Sequence, residues 1–91
     1  MKAFGKVAEV MAEIYQNKKG GEENYATTIS KALDITYSHT VKILRYLENE
    51  ELIVYKDVPG RTKPISVPEE HEELFECVNK AVKEYDYVVG L

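Results

Sequence analysis

The chain has one cysteine, no tryptophan, three prolines and five glycines in 91 residues. A lone Cys77 forms no internal disulfide and supplies no thiolate zinc site by itself. Few prolines and glycines, together with 44% hydrophobic and 31% charged residues, describe a globular chain rather than a disordered or fibrous one. Apolar runs last only a few residues, whereas a membrane-spanning helix needs about 20. The first segment, MKAFGKVAEVMAEIYQ, interrupts its apolar pattern with Glu9 and Glu13 and shows no signal-peptide core or cleavage site. No membrane partner and a cytoplasmic location are therefore expected. At 10.4 kDa the chain is the size of a single domain, 1–91. So small a core favours self-association on stability grounds alone.

Catalysis has little to stand on. The two histidines, His39 and His71, lie in separate segments. No glycine-rich phosphate loop occurs, and no nucleophile motif surrounds Cys77 or any serine. His71 among Glu69, Glu70, Glu72 and Glu73 offers at most a weak cation surface. The expectation is a non-enzyme with no cofactor and no metal.

A basic excess is also lacking, since the net charge is −4. That total hides an uneven distribution. Residues 69–91 carry seven acids against Lys80 and Lys83, whereas residues 1–68 carry ten bases and nine acids. Within the larger part, 36–47 holds only Lys42 and Arg45, and 58–68 holds only Arg61 and Lys63. These two acid-free stretches flank Glu48, Glu50 and Glu51. A contact with nucleic acid depends on such a local face rather than on the total.

Periodicity divides the chain into six elements. Phe4, Val7, Ala8, Met11, Ile14 and Tyr15 recur at helical spacing and predict an amphipathic helix over 2–17. It should end where Lys18-Lys19 meet Gly20-Gly21. Asn24 is a suitable N-cap for a second helix over 25–33, with Ala26, Ile29, Ala32 and Leu33 inward. After the turn Asp34-Ile35, Thr36 is the N-cap expected for a helix from Tyr37 to Asn49, with Thr40, Ile43, Leu44 and Leu47 inward. The period then changes. Leu52-Ile53-Val54-Tyr55 reads as a strand, Pro59-Gly60 as a turn, and Thr62–Val67 as a short returning edge strand containing Pro64. Pro68 should open the last helix, 68–89, with Glu69 and Glu70 in its first turn. In that helix Leu74, Val78, Ala81, Tyr85 and Val88 form one apolar row, and Phe75, Val82 and Val89 a second.

Helix, helix, helix, strand, strand, helix is the order of a winged helix-turn-helix. Residues 29–61, ISKALDITYSHTVKILRYLENEELIVYKDVPGR, resemble the DNA-binding core of the MarR family and of small archaeal winged-helix regulators. Ile29, Ala32 and Leu33 match the ending of that family's first helix, and Ile35-Thr36 its turn. Leu47-Glu48-Asn49-Glu50-Glu51-Leu52-Ile53 matches its Leu-Glu-x-x-Gly-Leu-Ile run, with Glu51 standing where glycine is usual. Gly60-Arg61 resembles the Gly-Arg of the family's wing. The resemblance implies an α+β, mostly α, fold with a helix-turn-helix at 24–50 and a wing at 52–67. It also implies sequence-specific binding of double-stranded DNA by a transcriptional regulator. MarR proteins are usually longer than this chain, which keeps one helix on each side of the core.

On that reading the recognition helix enters the major groove and presents Tyr37, Ser38, His39, Val41, Lys42 and Arg45 outward. Tyr37, Ser38, His39 and Lys42 are the candidates for base edges, Val41 suits a thymine methyl, and Arg45 the backbone. Thr27 and Thr28, with Tyr25, suit phosphate at the start of the second helix. Arg61 and Lys63 suit a narrow minor groove. Singly, each of these residues is equally compatible with an ordinary solvated surface, and Arg61 carries the most weight.

The first and last helices are broader in apolar residues than a three-helix core requires. A homodimer interface through Phe4, Val7, Met11, Leu74, Val78, Ala81 and Tyr85 is the expected use, and it implies a palindromic site. The alternative is a monomer whose last helix folds back on its own core. Cys77 lies on the same helix, where a buried free thiol is expected over a redox switch. A small-molecule effector between the terminal helices is compatible with seven tyrosines but is not indicated by them. The competing function is a winged-helix protein–protein module of the transcription machinery without base readout, which net acidity favours. An acid-free recognition helix and the wing arginine favour DNA.

Overall fold

Four α-helices and one short hairpin build the fold, in a computed structural model that describes residues 5–89, with side chains through Asp86. Helix α1 spans Gly5–Lys19, α2 Ala26–Leu33 and α3 Tyr37–Asn49. Strands β1 (Val54–Tyr55) and β2 (Ile65–Ser66) pair antiparallel, with Val54 opposite Ser66 and Tyr55 opposite Ile65. A 3-10 turn, Glu69–His71, leads into α4, Glu72–Val89. The architecture is α+β, mostly helical, in the element order read from the sequence. Of the first helix as expected, residues 2–4 lie outside the described residues, and α1 continues two residues past 17.

One core joins all the layers. Val10, Met11 and Ile14 of α1 meet Ile29 of α2, Ile43, Leu44 and Leu47 of α3, Ile53 before β1, Ile65 and Val67 at β2, and Phe75 of α4. The inward face of α3 is the one its spacing predicts: Thr40, Ile43, Leu44 and Leu47 are its buried residues. Thr40 is polar and fully buried, but its hydroxyl donates to the Thr36 carbonyl at 3.0 Å, so no hydrogen bond is forfeited.

The first three helices end in the same way. At the end of α1, Gly21 N–H donates to Lys18 O and Glu22 N–H to Asn17 O, at 3.1 and 2.8 Å. After α2, Asp34 and Ile35 donate to Lys31 and Ser30; after α3, Glu51 and Leu52 donate to Glu48 and Leu47. These are Schellman caps, each turning on one left-handed residue. That residue is Gly21 (φ 77°), Asp34 (φ 54°) and Glu51 (φ 62°). Glu51 thus takes the conformation that glycine would take without strain, and the helix ends normally despite the substitution.

Three expectations need correction. Asn24 does not cap α2, because Tyr25 occupies the N-cap position. Asn24 is instead buried, donating through Nδ2 to the Ile14 carbonyl (3.0 Å) and accepting at Oδ1 from Asn17 Nδ2 (2.9 Å). Its own carbonyl accepts from Ile65 N–H at 2.8 Å, so β2 is flanked by β1 on one side and this bridge on the other. The strands are also shorter than 52–55 and 62–67, because Leu52 N–H serves the α3 cap and Pro64 has none to give. Finally, Pro68 opens the 3-10 turn, with His71 N–H donating to its carbonyl at 2.9 Å, and α4 starts only at Glu72.

Helices α1 and α4 pack along each other. The face that α4 buries is Phe75 and Val82, from the row that read as secondary in the sequence, together with Asn79, which that row did not include. Asn79 accepts from Gln16 Nε2 at 2.9 Å, and Lys18 pairs with Glu72. Leu74 is left exposed, with Val78, Ala81 and Tyr85 half-buried. The side chains of Val88 and Val89 lie outside the described residues.

Candidate nucleic-acid interface

The local chemistry of α3 decides which side chains it offers. Thr36 caps the helix by accepting the His39 N–H at 3.1 Å, which fixes the first turn. With the buried face set by Thr40, Ile43, Leu44 and Leu47, the 100° step per residue puts Ser38, Lys42, Arg45 and Asn49 directly opposite. All four are exposed. His39 and Tyr46 lie along one flank of that row; Tyr37, Val41 and Glu48 lie along the other. Tyr37 is 57% exposed, whereas Val41 is half-buried.

Helix α2 opens beside this face. Thr28 Oγ accepts from Tyr25 N–H at 3.2 Å and donates to the Tyr25 carbonyl at 2.9 Å, so its hydroxyl is engaged in closing the helix start. Thr27 is exposed. The hairpin then projects its tip, where Gly60 at φ 115° precedes an exposed Arg61. Lys63 behaves differently: its ammonium donates to the Val58 carbonyl and braces the loop from within. Lys56 pairs with Glu23 at 2.9 Å. Among the described residues, Lys42, Arg45 and Arg61 enter no ion pair.

Two exposed residues of this region escape a reading by spacing alone. Asn49 completes the Ser38–Lys42–Arg45 row, and a full helical projection of 37–49 would have found it. Tyr55 shares its side of the hairpin with the buried Ile53 and with its cross-strand partner Ile65, so it turns toward the helices. It remains 39% exposed at the rim. Partial burial raises its phenol pKa above the ordinary value, with Glu48 and Tyr37 adding to the rise and Arg45 opposing it. The side of the hairpin to which this strand tyrosine belongs was not identifiable until the register was known.

Elsewhere, the apolar residues expected at a dimer interface divide. Val7 (38%) and Leu74 (42%) are exposed, Met11 lies in the core at 7%, and Phe4 is outside the described residues. Cys77 is exposed on α4, not buried as expected. His71 lies 3.8 Å from Glu70, and among the described residues no group of three or more His, Cys, Asp or Glu side chains gathers as a metal site. A groove of about 340 Å³ runs between the end of α1 and the start of α4, lined by Tyr15, Lys18, Lys19, Val67, Glu72, Phe75 and Glu76. No helix among the described residues is long and apolar enough to cross a membrane.

Three helices, a hairpin wing and a closing helix define a small winged helix-turn-helix fold. No protein-family model and no curated protein matches the sequence. Solved structures do match the fold. The chain is similar to AF1382 from Archaeoglobus fulgidus, with 20% identity, a TM-score of 0.78, and coverage of 90% of this chain and 89% of that one. It is also similar to MepR, a transcription regulator of the Staphylococcus aureus multidrug efflux pump MepA, with 21% identity and a TM-score of 0.72. The S. aureus MepR–DNA complex gives 22% and 0.74. The match covers 93% of this chain but 62% of MepR, so the chain spans under two thirds of that protein's length.

Proposed function

We propose that the chain binds double-stranded DNA as a homodimeric transcriptional regulator, with α3 in the major groove and the wing tip at the adjacent minor groove. The observation that carries this reading is the exposed row Ser38, Lys42, Arg45 and Asn49 on α3 together with an exposed Arg61 at the wing tip, none of whose cations enters an ion pair among the described residues. Ser38, Lys42 and His39 read base edges, and Asn49 adds an amide suited to adenine. Arg45, Thr27 and the backbone N–H groups opening α2 hold phosphates. Tyr37 and Thr28 stand at the margin, and Lys63 supports the loop that carries Arg61. That a protein of the same fold, MepR, forms a DNA complex supports the same use of the face here.

The dimer is assigned to the exposed Val7 and Leu74, with the half-buried Val78, Ala81 and Tyr85 at their margin. A two-fold assembly through these residues pairs two recognition helices and selects a palindromic site, with half-sites roughly 34 Å apart. No enzymatic step, cofactor or metal belongs to this function. The protein–protein alternative draws on one observation, the exposure of Tyr37 and Tyr46 on the two flanks of the same helix face.

Selection from a random duplex pool, followed by fluorescence anisotropy at several salt concentrations, tests the reading. Binding that weakens steeply with salt and is lost in Arg61→Ala and in Lys42→Ala/Arg45→Ala is the expected result. A palindromic enriched sequence supports the dimer. A folded protein that binds no duplex at low salt overturns the regulator reading and favours the protein–protein module.

A further inference from the structure

A recognition helix in the major groove and a wing in the next minor groove leave one sugar–phosphate strand between them. That strand has to run along the valley between α3 and the hairpin. The side chains bordering the valley therefore decide how firmly the strand is held, whatever the base sequence. On the α3 side they are Tyr37 and Glu48, which lie along one flank of the helix, with Arg45 beside them at the margin of the outward row. On the hairpin side the residue is Tyr55. Strand alternation places it with Ile53 on the helix-facing side, and pairing with Ile65 confirms that side. The electrostatic influence of Glu48, Tyr37 and Arg45 on Tyr55 agrees with this placement.

We infer that Tyr55 is a backbone-positioning residue of the DNA-binding face, its hydroxyl donating to a phosphate oxygen of the strand that passes between α3 and the wing. The inference rests on the DNA-binding reading above. Three features suit the role. The phenol is partly exposed on the side of the hairpin shared with Ile53 and Ile65, so its hydroxyl is open to a strand lying between α3 and the wing. A raised pKa keeps the hydroxyl protonated, and so a donor, throughout the physiological range. Glu48 is the acid that borders the same valley, where it opposes phosphate and limits affinity.

The role has a signature that separates it from a cationic contact. A neutral donor releases no counterion, so its loss weakens binding without changing the salt dependence, whereas each lost cation–phosphate contact reduces the slope by about 0.9. The experiment compares wild type, Tyr55→Phe, Glu48→Gln, Arg45→Ala and Arg61→Ala on a labelled mixed-sequence duplex and on the duplex enriched by selection. Tyr55→Phe keeps the ring and the fold, which thermal melting checks. Its expected effect is a loss of affinity of about three- to ten-fold on both duplexes, the worth of one hydrogen bond, with an unchanged salt slope. Glu48→Gln is expected to bind more tightly than wild type. Wild-type binding lost in Arg61→Ala but equal in Tyr55→Phe overturns this inference and leaves the DNA reading standing. A loss confined to one duplex also overturns it, because backbone contacts do not select sequence. Failure of the wild type to bind either duplex overturns both.

Discussion

The helix-turn-helix segment and the α1–α4 layer solve the same problem by different means. From Tyr25 to Leu52 the polar groups find partners close by in sequence: Thr28 with Tyr25, Thr36 with His39, and Thr40 with Thr36, each three or four residues apart. Its two Schellman caps are likewise closed within the helices they end. The α1–α4 layer depends on distant partners, Gln16 with Asn79 across 63 positions and Lys18 with Glu72 across 54. Between the two sits Asn24, which lies just before α2 and joins the end of α1 to strand β2 through three hydrogen bonds. The recognition unit is thus nearly self-contained, and the flanking helices hold it through a few long-range links.

Substitutions rank the two regions. Phe75→Ala removes the largest fully buried side chain, which is 1% exposed and joins α4 to the core. A loss of about 3–5 kcal/mol is expected, most of the stability of so small a domain, and urea unfolding measures it. Next comes Asn24→Ala, which removes the second bond to the Ile14 carbonyl and the acceptor of the half-buried Asn17 amide; about 1–3 kcal/mol should be lost. If the two regions are coupled through Asn24, hydrogen exchange should quicken in β2 and α2 together.

The local caps carry less. Thr36→Ala is expected to cost about 1 kcal/mol, with faster exchange confined to the first turn of α3. Glu51→Gly acts in the opposite direction. It relieves a left-handed glutamate, so a gain of about 0.5–1 kcal/mol should appear as a higher urea midpoint at unchanged slope. The smallest effect concerns pH. Because the folded-state pKa of Tyr55 is raised, the native protein holds that proton more firmly than the unfolded chain does. Its contribution is complete at neutral pH and is lost as pH rises from about 10 through the folded value. Unfolding curves of wild type and Tyr55→Phe should therefore converge slightly in strongly alkaline buffer.

The helices were legible where their signals are local. Thr36 announced the start of α3, Lys18-Lys19-Gly20-Gly21 the end of α1, and the spacing of Thr40, Ile43, Leu44 and Leu47 the buried face. Asn24 misled because an asparagine before a helix resembles a cap equally well whether its side chain turns to the helix or into the core. Lys63 and Tyr55 were ambiguous in the sequence for a similar reason. A lysine in a turn looks solvated until a carbonyl such as that of Val58 comes within reach. A tyrosine in a strand looks buried until the register shows it at the rim.

By itself, the sequence determined the order of the elements, the caps of α1 and α3, the inward face of α3 and the acid-free stretches beside it. These follow from interactions within about one helical turn, which neighbouring residues dictate. Only the tertiary structure decided that Phe75, Asn79 and Val82 would face α1, with the Leu74 row turned outward. It also decided that Asn24 would be a buried junction and that Tyr55 would border the α3–wing valley. Two apolar rows on one helix have nearly equal claims to the core, and the choice between them is made by the shape of the helix they meet.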